Sequence, residues 1–331
     1  MWNITSFAPL RVSFAGGGTD IPPFVDKVGG AVINTTIDRR VTVRYAFDSN
    51  PLELSTRDLV KSFMLTSRHR KENSFVERLT GLFKDKGIDR GRVAINSDVP
   101  PGSGLGSSSA LVVAMTRLLS EASGFTITDS EAGRIAYETE RDRLNILLGK
   151  QDPYAIAIGG FKFMEFDTSG SIRYEFLKDG RIADHIAENS LLLYTGGTRE
   201  SSRVLEEQVR KSRAGDSKIM SKMESLKRLS MEMWDSLKQG SIDSFYAGIN
   251  RGWEIKKTLG SRVSNPAVDD IISYALKNGA CAAKLLGGGS KGFILMISED
   301  GKLPQLQRSM SRFSDFIIRV SFGDTCTIYR K

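Results

Sequence analysis

The sequence predicts an α+β protein built as two lobes, and three observations carry that expectation. The chain has 331 residues, more than one compact domain of ordinary size and enough for two. Its first half alternates strand-like runs and glycine turns with amphipathic helices, the mixture expected where sheet and helix share a core. Near residues 180–190 the pattern changes to long helical stretches that later return to strands. We therefore expect one lobe over 1–185 and a second over 186–331.

The elements follow in order. Residues 3–7 and 11–15 read as short strands that end at the turn Gly16, Gly17, Gly18. The runs 31–37 and 41–47 alternate well enough to be strands, with Asp38, Arg39 and Arg40 between them. Helical spacing over 74–86 places Phe75, Leu79, Leu82 and Phe83 on one face, and Gly87 closes it. A strand at 92–96 feeds a Pro-Pro-Gly turn. Helices then follow over 110–121 and 128–144, the second capped by Thr128 or Asp129. Strands are expected at 161–166, 172–176 and 191–194. Residues 200–259 read as helix interrupted around Gly215 and Gly240, and Pro266 opens another helix to residue 277. Strands at 281–286, 292–297 and 316–320, with a helix before the last, complete the chain.

Hydrophobic residues make up 40% and charged residues 26%, which fits a globular chain and excludes a disordered one. The apolar run 110–115 is far too short to cross a bilayer, and the N-terminus lacks the regions of a signal peptide. Cys281 and Cys326 are the two cysteines, too few for a disulfide framework, so a cytoplasmic protein without a membrane partner is expected. The net charge of +8 raises nucleic acid as a partner. Its densest basic stretch, 210–228, interleaves acids and reads as a solvated helix face. No zinc-ligand spacing or aromatic RNA-binding pattern accompanies it. We expect no nucleic acid, an anionic small-molecule substrate, and a monomer or homodimer.

The chemistry concentrates in SDVPPGSGLGSSSALVVAM, which follows a strand and runs into an apolar helix. Glycines at 102, 104 and 106 let backbone N–H groups turn toward an anion, and the following helix adds its unpaired N–H groups and positive dipole end. Ser107, Ser108 and Ser109 add hydroxyls that can bond phosphate or hold magnesium. The segment contains neither a Walker loop nor the Rossmann fingerprint. A flexible Gly/Ser connector is the plainer alternative, but it fits poorly between a tight Pro-Pro turn and a strongly apolar helix.

PPGSGLGSSSA resembles the central motif of the GHMP kinases (galactokinase, homoserine kinase, mevalonate kinase, phosphomevalonate kinase). APLRVSFAGGGTD looks like their N-terminal substrate motif and KLLGGGSKGFILM like their C-terminal glycine motif, in the family's order over nearly the whole chain. The resemblance implies an N-terminal lobe of the ribosomal protein S5 domain-2-like type, a ferredoxin-like C-terminal lobe, and ATP with Mg2+ between them. It assigns Pro101, Gly102, Ser103, Gly104, Leu105, Gly106, Ser107, Ser108 and Ser109 to the nucleotide, and Ser108 with Glu140 to the metal. Asp152 would act as base or orient the acceptor hydroxyl, accepting its proton late. Arg11 would neutralise the γ-phosphate or pair with Asp152. Thr19 and Asp20 would meet acceptor hydroxyls, and Gly287, Gly288, Gly289 and Gly292 would close over the phosphates or acceptor. Lys150 could contact phosphate or lie on the surface. Asp38 and Arg39 could reach the acceptor or simply form a turn.

The runs SFAGGGTD, GKQDPYA, GGFKFMEF and LLYTGGTRESS look most like the heptose 7-phosphate kinase and fucokinase-like branch. Two departures fall where the acceptor would lie: the run 148–153, and Ser290-Lys291 in place of two glycines. Lys291, Arg199 and Arg11 are candidates to hold an acceptor anion, which favours an already phosphorylated substrate. A heptose-type sugar phosphate and mevalonate 3-phosphate, phosphorylated at its 5-hydroxyl, stand as near equals. The alternatives are a non-catalytic sugar or ATP sensor of the same fold, and a mevalonate phosphate decarboxylase-type enzyme.

Overall fold

The computed structural model describes residues 3–56, 61–64, 74–196 and 201–331. In chain order the first part comprises β1 (Ile4–Ala15), α1 (Phe24–Val28), β2 (Gly30–Pro51), β3 (Glu53–Thr56), β4 (Lys61–Met64), α2 (Ser74–Lys84), β5 (Arg90–Ser97), α3 (Ser107–Ala122) and α4 (Asp129–Glu138). A π-helical turn (Thr139–Arg143) leads to α5 (Gln151–Ile158), β6 (Lys162–Phe166), β7 (Ile172–Phe176) and α6 (Gly180–Glu188). The remainder is β8 (Ser190–Tyr194), α7 (Ser201–Arg213), α8 (Ser217–Lys238), α9 (Ile242–Lys257), α10 (Pro266–Lys277), β9 (Ala280–Leu285), β10 (Phe293–Ser298), α11 (Leu303–Met310), β11 (Ile317–Ile318) and β12 (Thr327–Arg330).

Two sheets organise these elements. The larger runs β12-β1-β2-β5-β3-β4, with β6 and β7 branching from the first half of β2; the smaller is antiparallel, β11-β8-β10-β9. In β8 and β10 the side chains alternate between two cores. Leu191, Leu193, Ile294 and Met296 face α10 and α11, while Leu192, Phe293, Leu295 and Ile297 join the main core. Burial on both faces explains why these strands are continuous apolar runs in the sequence.

The sequence divides β1 and β2 too finely. Pro9 looks like a strand break, yet β1 runs through it at a register shift: Pro9 lies opposite Arg40 and Leu10 opposite Ile37. Asp38 and Arg39 are the residues looped out by that bulge, which also accommodates a proline lacking a donor. Three short elements, α1, β3 and β12, carry too few residues to show a period. The helix expected over 128–144 is α-helical only to Glu138, and its π turn buries Glu140 while Arg141, Asp142 and Arg143 stay exposed. Such a widened turn re-aims one side chain, and it is common at functional sites.

An aromatic seam joins the lobes. Phe14 of β1 stacks on Phe161 at 5.0 Å and meets Phe245 of α9 and Phe322 edge-on at 5.4 and 5.8 Å. Stacked and edge-on rings at these separations add to their burial energy. We predict that Phe14→Ala lowers the unfolding free energy by about 3–5 kcal/mol, read from the denaturant midpoint. A loss below about 1 kcal/mol would mean that the seam does not hold the lobes.

Candidate active site

Arg11 lies in the middle of β1 and is buried, so its charge must find partners. Its Nε and Nη2 donate to the two oxygens of Asp152 at 2.8 and 2.5 Å, and its Nη1 donates to the Gly104 carbonyl at 2.6 Å. The bidentate fork fixes the carboxylate in plane. Asp152 sits in the first turn of α5 and remains 29% exposed on its side chain, so its free edge can still meet a substrate.

The loop preceding α3 is gripped from both lobes. Arg11 N donates to Leu105 O at 3.0 Å, and Phe293 N of β10 donates to Ser103 O at 2.8 Å. Gly104 has φ +92°, and a Cβ there would lie 2.6 Å from the Leu286 carbonyl; any other residue would strain the backbone and push the lobes apart. Gly106 precedes α3 with φ +76°, and no side chain caps the helix. The first-turn N–H groups and the positive end of the dipole are therefore available to an anion.

Ser108 and Glu140 meet beside that helix end. The Ser108 hydroxyl donates to Glu140 Oε1 at 2.9 Å, while Oε2 is buried without a hydrogen-bond partner. Burial pushes the Glu140 carboxyl up to about 7, and the negative charge of Asp152 adds to the rise; the Ser109 and Ser108 hydroxyls act the other way. A hydroxyl and a carboxylate with an unused oxygen are the hard donors magnesium takes. Among the described residues no three His, Cys, Asp or Glu side chains gather to hold a metal. Phosphate oxygens and water would thus complete its shell.

Beside Asp152 lies a cavity lined by Arg11, Ser13, Gly17, Gly18, Asp20, Gln151, Lys256, Lys284, Gly287 and Gly288, among others. Asp20 is buried and accepts from Gly18 N at 3.0 Å and Gln151 N at 2.9 Å. Burial raises its pKa and the Asp152 charge raises it further, against the lowering by these two amides. Lys284 of β9 donates to the Ser13 and Phe14 carbonyls at 2.9 and 2.8 Å, tying the second lobe to β1. Burial, then the charges of Lys256 and Arg11, hold its pKa well below the usual lysine range. Lys162, fully buried, donates to the carbonyls of Ala155, Gly159 and Gly160 at 3.0, 2.7 and 3.2 Å. It caps the end of the helix that carries Asp152 at its start, and burial lowers its pKa to about 7.

The structure thus brings Arg11, Asp20, Asp152 and Gly288 together at one cavity, with Ser108 and Glu140 beside the loop. Other residues named from the sequence lie elsewhere. Thr19 spends its hydroxyl inside its own turn, donating to Gly16 O and accepting from Ala31 N. Gly289 packs on Val263, and Lys291 is exposed outside the cavity lining. Ser290 keeps a φ of +62°, so the chain still makes the turn a glycine would make. The Lys150 ammonium points toward the turn at Gly170. Asp38 and Arg39 pair with each other and with the segment 319–321; they form the bulge of β2, not a turn between strands, and lie outside the cavity lining. Arg199 lies outside the described residues. Sequence reasoning missed Gln151, Lys162, Lys256 and Lys284. A lysine inside an otherwise apolar strand, as in FKFMEF and CAAKLL, is the signal that could have revealed two of them.

Comparison with known proteins agrees with this geometry. Residues 73–160 match the family model for the GHMP kinases N terminal domain, and residues 233–315 that for GHMP kinases C terminal. The D-glycero-alpha-D-manno-heptose 7-phosphate kinase of Campylobacter jejuni is 30% identical, over 97% of this chain and 97% of its own. A solved D-glycero-D-manno-heptose 1-phosphate kinase from Bacteriodes thetaiotaomicron superposes with a TM-score of 0.78 at 26% identity, covering 99% of both chains. The Methanococcus jannaschii mevalonate kinase superposes with a TM-score of 0.74 over 98% of this chain and 99% of its own, but at 18% identity it shares the fold alone. The chain belongs to the GHMP kinase family. It is a two-lobed phosphotransferase that uses ATP to phosphorylate an alcohol of a small metabolite. No helix among the described residues is long and apolar enough to cross a membrane.

Glu140 gives a pH test. Its folded carboxyl titrates at about 7 against an ordinary 4.5, so without metal the folded protein holds that proton more tightly than the unfolded chain. The stability it contributes is full below 4.5 and is lost as pH rises through about 7. Glu140→Gln should flatten this decline, measured as Tm against pH in chelator; an unchanged slope would show that Glu140 does not cause it.

Proposed function

We propose that this kinase transfers the γ-phosphate of ATP to a hydroxyl of a small, already phosphorylated sugar of the heptose type. The observation that carries the catalytic part is the Arg11 guanidinium, which holds Asp152 with two donors and the phosphate loop with its third nitrogen. One buried cation thereby sets the acceptor's carboxylate and the donor's loop in fixed relation, the positioning on which phosphoryl transfer depends. The likeness to the Campylobacter heptose 7-phosphate kinase over nearly the whole chain supports the substrate class. Mevalonate 3-phosphate has fold-level likeness behind it and no specific feature of the site. Residues 1–185 serve here as the nucleotide-binding lobe and 186–331 as the lobe that closes the acceptor side.

In this reading Asp152 orients the acceptor hydroxyl and takes its proton as the new bond forms. Arg11 holds that carboxylate in plane; with each of its three nitrogens bonded to Asp152 or Gly104, it acts chiefly on those two partners. The backbone N–H groups from 102 to 109 take the charge of the nucleotide phosphates. Ser108 and Glu140 would hold magnesium, which would neutralise phosphate charge. Asp20 accepts from an acceptor hydroxyl or, when protonated, donates to one.

Two experiments test the reading. Purified protein with ATP and magnesium should release ADP in the presence of heptose 7-phosphate and far more slowly with mevalonate 3-phosphate. The reverse order would transfer the proposal to the isoprenoid substrate. Tight ATP binding with no acceptor-dependent ADP would indicate a sensor, and released CO2 a decarboxylase. Asp152→Ala should lower kcat by about 1,000-fold or more with the KM for ATP changed less than about threefold; a kcat near the wild-type value would remove Asp152 from the chemistry.

A further inference from the structure

Three polar side chains of the acceptor cavity have no part in the chemistry above. The Ser13 hydroxyl and the Gln151 Nε2 are buried, line the cavity and have no hydrogen-bond partner. Lys256 reaches the same wall from α9, with its Nζ donating to Gly287 O at 2.9 Å. All three converge on Gly17. A Cβ on that residue would lie 3.4 Å from Lys256 Nζ, 3.4 Å from Ser13 Oγ and 3.7 Å from Gln151 Oε1. The missing side chain thus leaves a space bounded by an ammonium, a hydroxyl and a primary amide whose two ends exchange by a half-turn.

Buried polar groups without partners are costly, and two of them facing one cavity point to a ligand that satisfies them. The charges around them say which kind. The Lys256 ammonium is the charged group nearest the missing side chain of Gly17, whereas Arg11 is paired with Asp152 and Lys284 is bonded to the Ser13 and Phe14 carbonyls. The wall around Gly17 therefore favours an anion, and a lysine takes phosphate as a point charge with several donors. Resting on the kinase reading given above, we infer that Lys256, Ser13 and Gln151 form the subsite for the acceptor's own phosphate, and that Gly17 is the opening that admits it. The ligand class is a phosphate monoester of a small polyol, gripped at the end away from the hydroxyl that faces Asp152. Lys291, exposed outside the cavity lining, has no share in it.

Lys256→Met removes the charge. Gly17→Ala fills the opening with a methyl group at ordinary contact distance from its neighbours, and the backbone of Gly17 lies outside the left-handed region. The first measurement is calorimetric titration of inorganic phosphate into full-length protein saturated with magnesium and ADP, so that the loop is filled. Wild type should bind phosphate, and each variant should bind it about tenfold or more weakly, with ADP affinity within about twofold as the check on folding. The second is the ratio of kcat/KM for heptose 7-phosphate to that for the unphosphorylated heptose, which should fall about 30-fold in Lys256→Met. Equal phosphate affinities in all three proteins, or no phosphate binding by wild type, overturn the subsite even if heptose 7-phosphate is the substrate. Phosphate binding lost in the variants, with no turnover of any heptose phosphate, upholds the subsite and overturns the substrate reading. If Lys256→Met loses ADP affinity as well, Gly17→Ala decides alone.

Discussion

The structure depends on the buried guanidinium of Arg11. A cation inside a sheet is tolerable only when it is paired and hydrogen-bonded, and here the partners come from distant parts of the chain. The Asp152 carboxylate begins a helix 141 residues later, and the Gly104 carbonyl belongs to a loop 93 residues later. Satisfying one charge therefore fixes the relative position of a helix start, a glycine-rich loop and a central strand. The chemistry of the site follows from that electrostatic requirement as much as from any single catalytic group.

Helix α5 is supported at both ends. Arg11 holds the carboxylate in its first turn, and Lys162 bonds three carbonyls at its C-terminal end. Eight residues is short for a helix stable on its own, so these attachments supply the rigidity that the role proposed for Asp152 needs. The π turn has a comparable role for Glu140, which an unbroken α-helix would carry on a different face. Burial, helix geometry and charge pairing thus combine at each functional side chain.

The glycine loop and the helix after it were legible in the sequence because their signals are local. The glycines of 102–106, the serines opening α3 and the breaks at Gly215 and Gly240 act through neighbouring backbone, and a chain reads them in place. Arg11, Glu140 and Asp152 were identified through motifs, and their meeting is tertiary but coded by family resemblance. The acceptor side was less legible. Gln151, Lys256 and Lys284 come from a helix start, a helix end and a strand, and no spacing in the sequence announces that they share a wall. Thr19 and Lys291 looked like binding groups by position, whereas the structure commits one to its turn and exposes the other. Pro9 and the charged stretch 38–40 resembled strand breaks because a bulge absorbs a proline and two unpaired residues without ending the sheet.

The hydrogen bond from Phe293 N to Ser103 O has a consequence for fragments of this protein. The loop belongs to the first half by sequence, yet one of its carbonyls is fixed by a strand of the second. The edge of the first sheet is likewise completed by Thr327–Arg330 pairing with Ile4–Phe7. A gene cut between the halves would therefore yield an amino-terminal piece lacking both an edge strand and one wall of its phosphate loop. The shape of the glycine loop belongs to the assembled whole, and a truncated module would not inherit it.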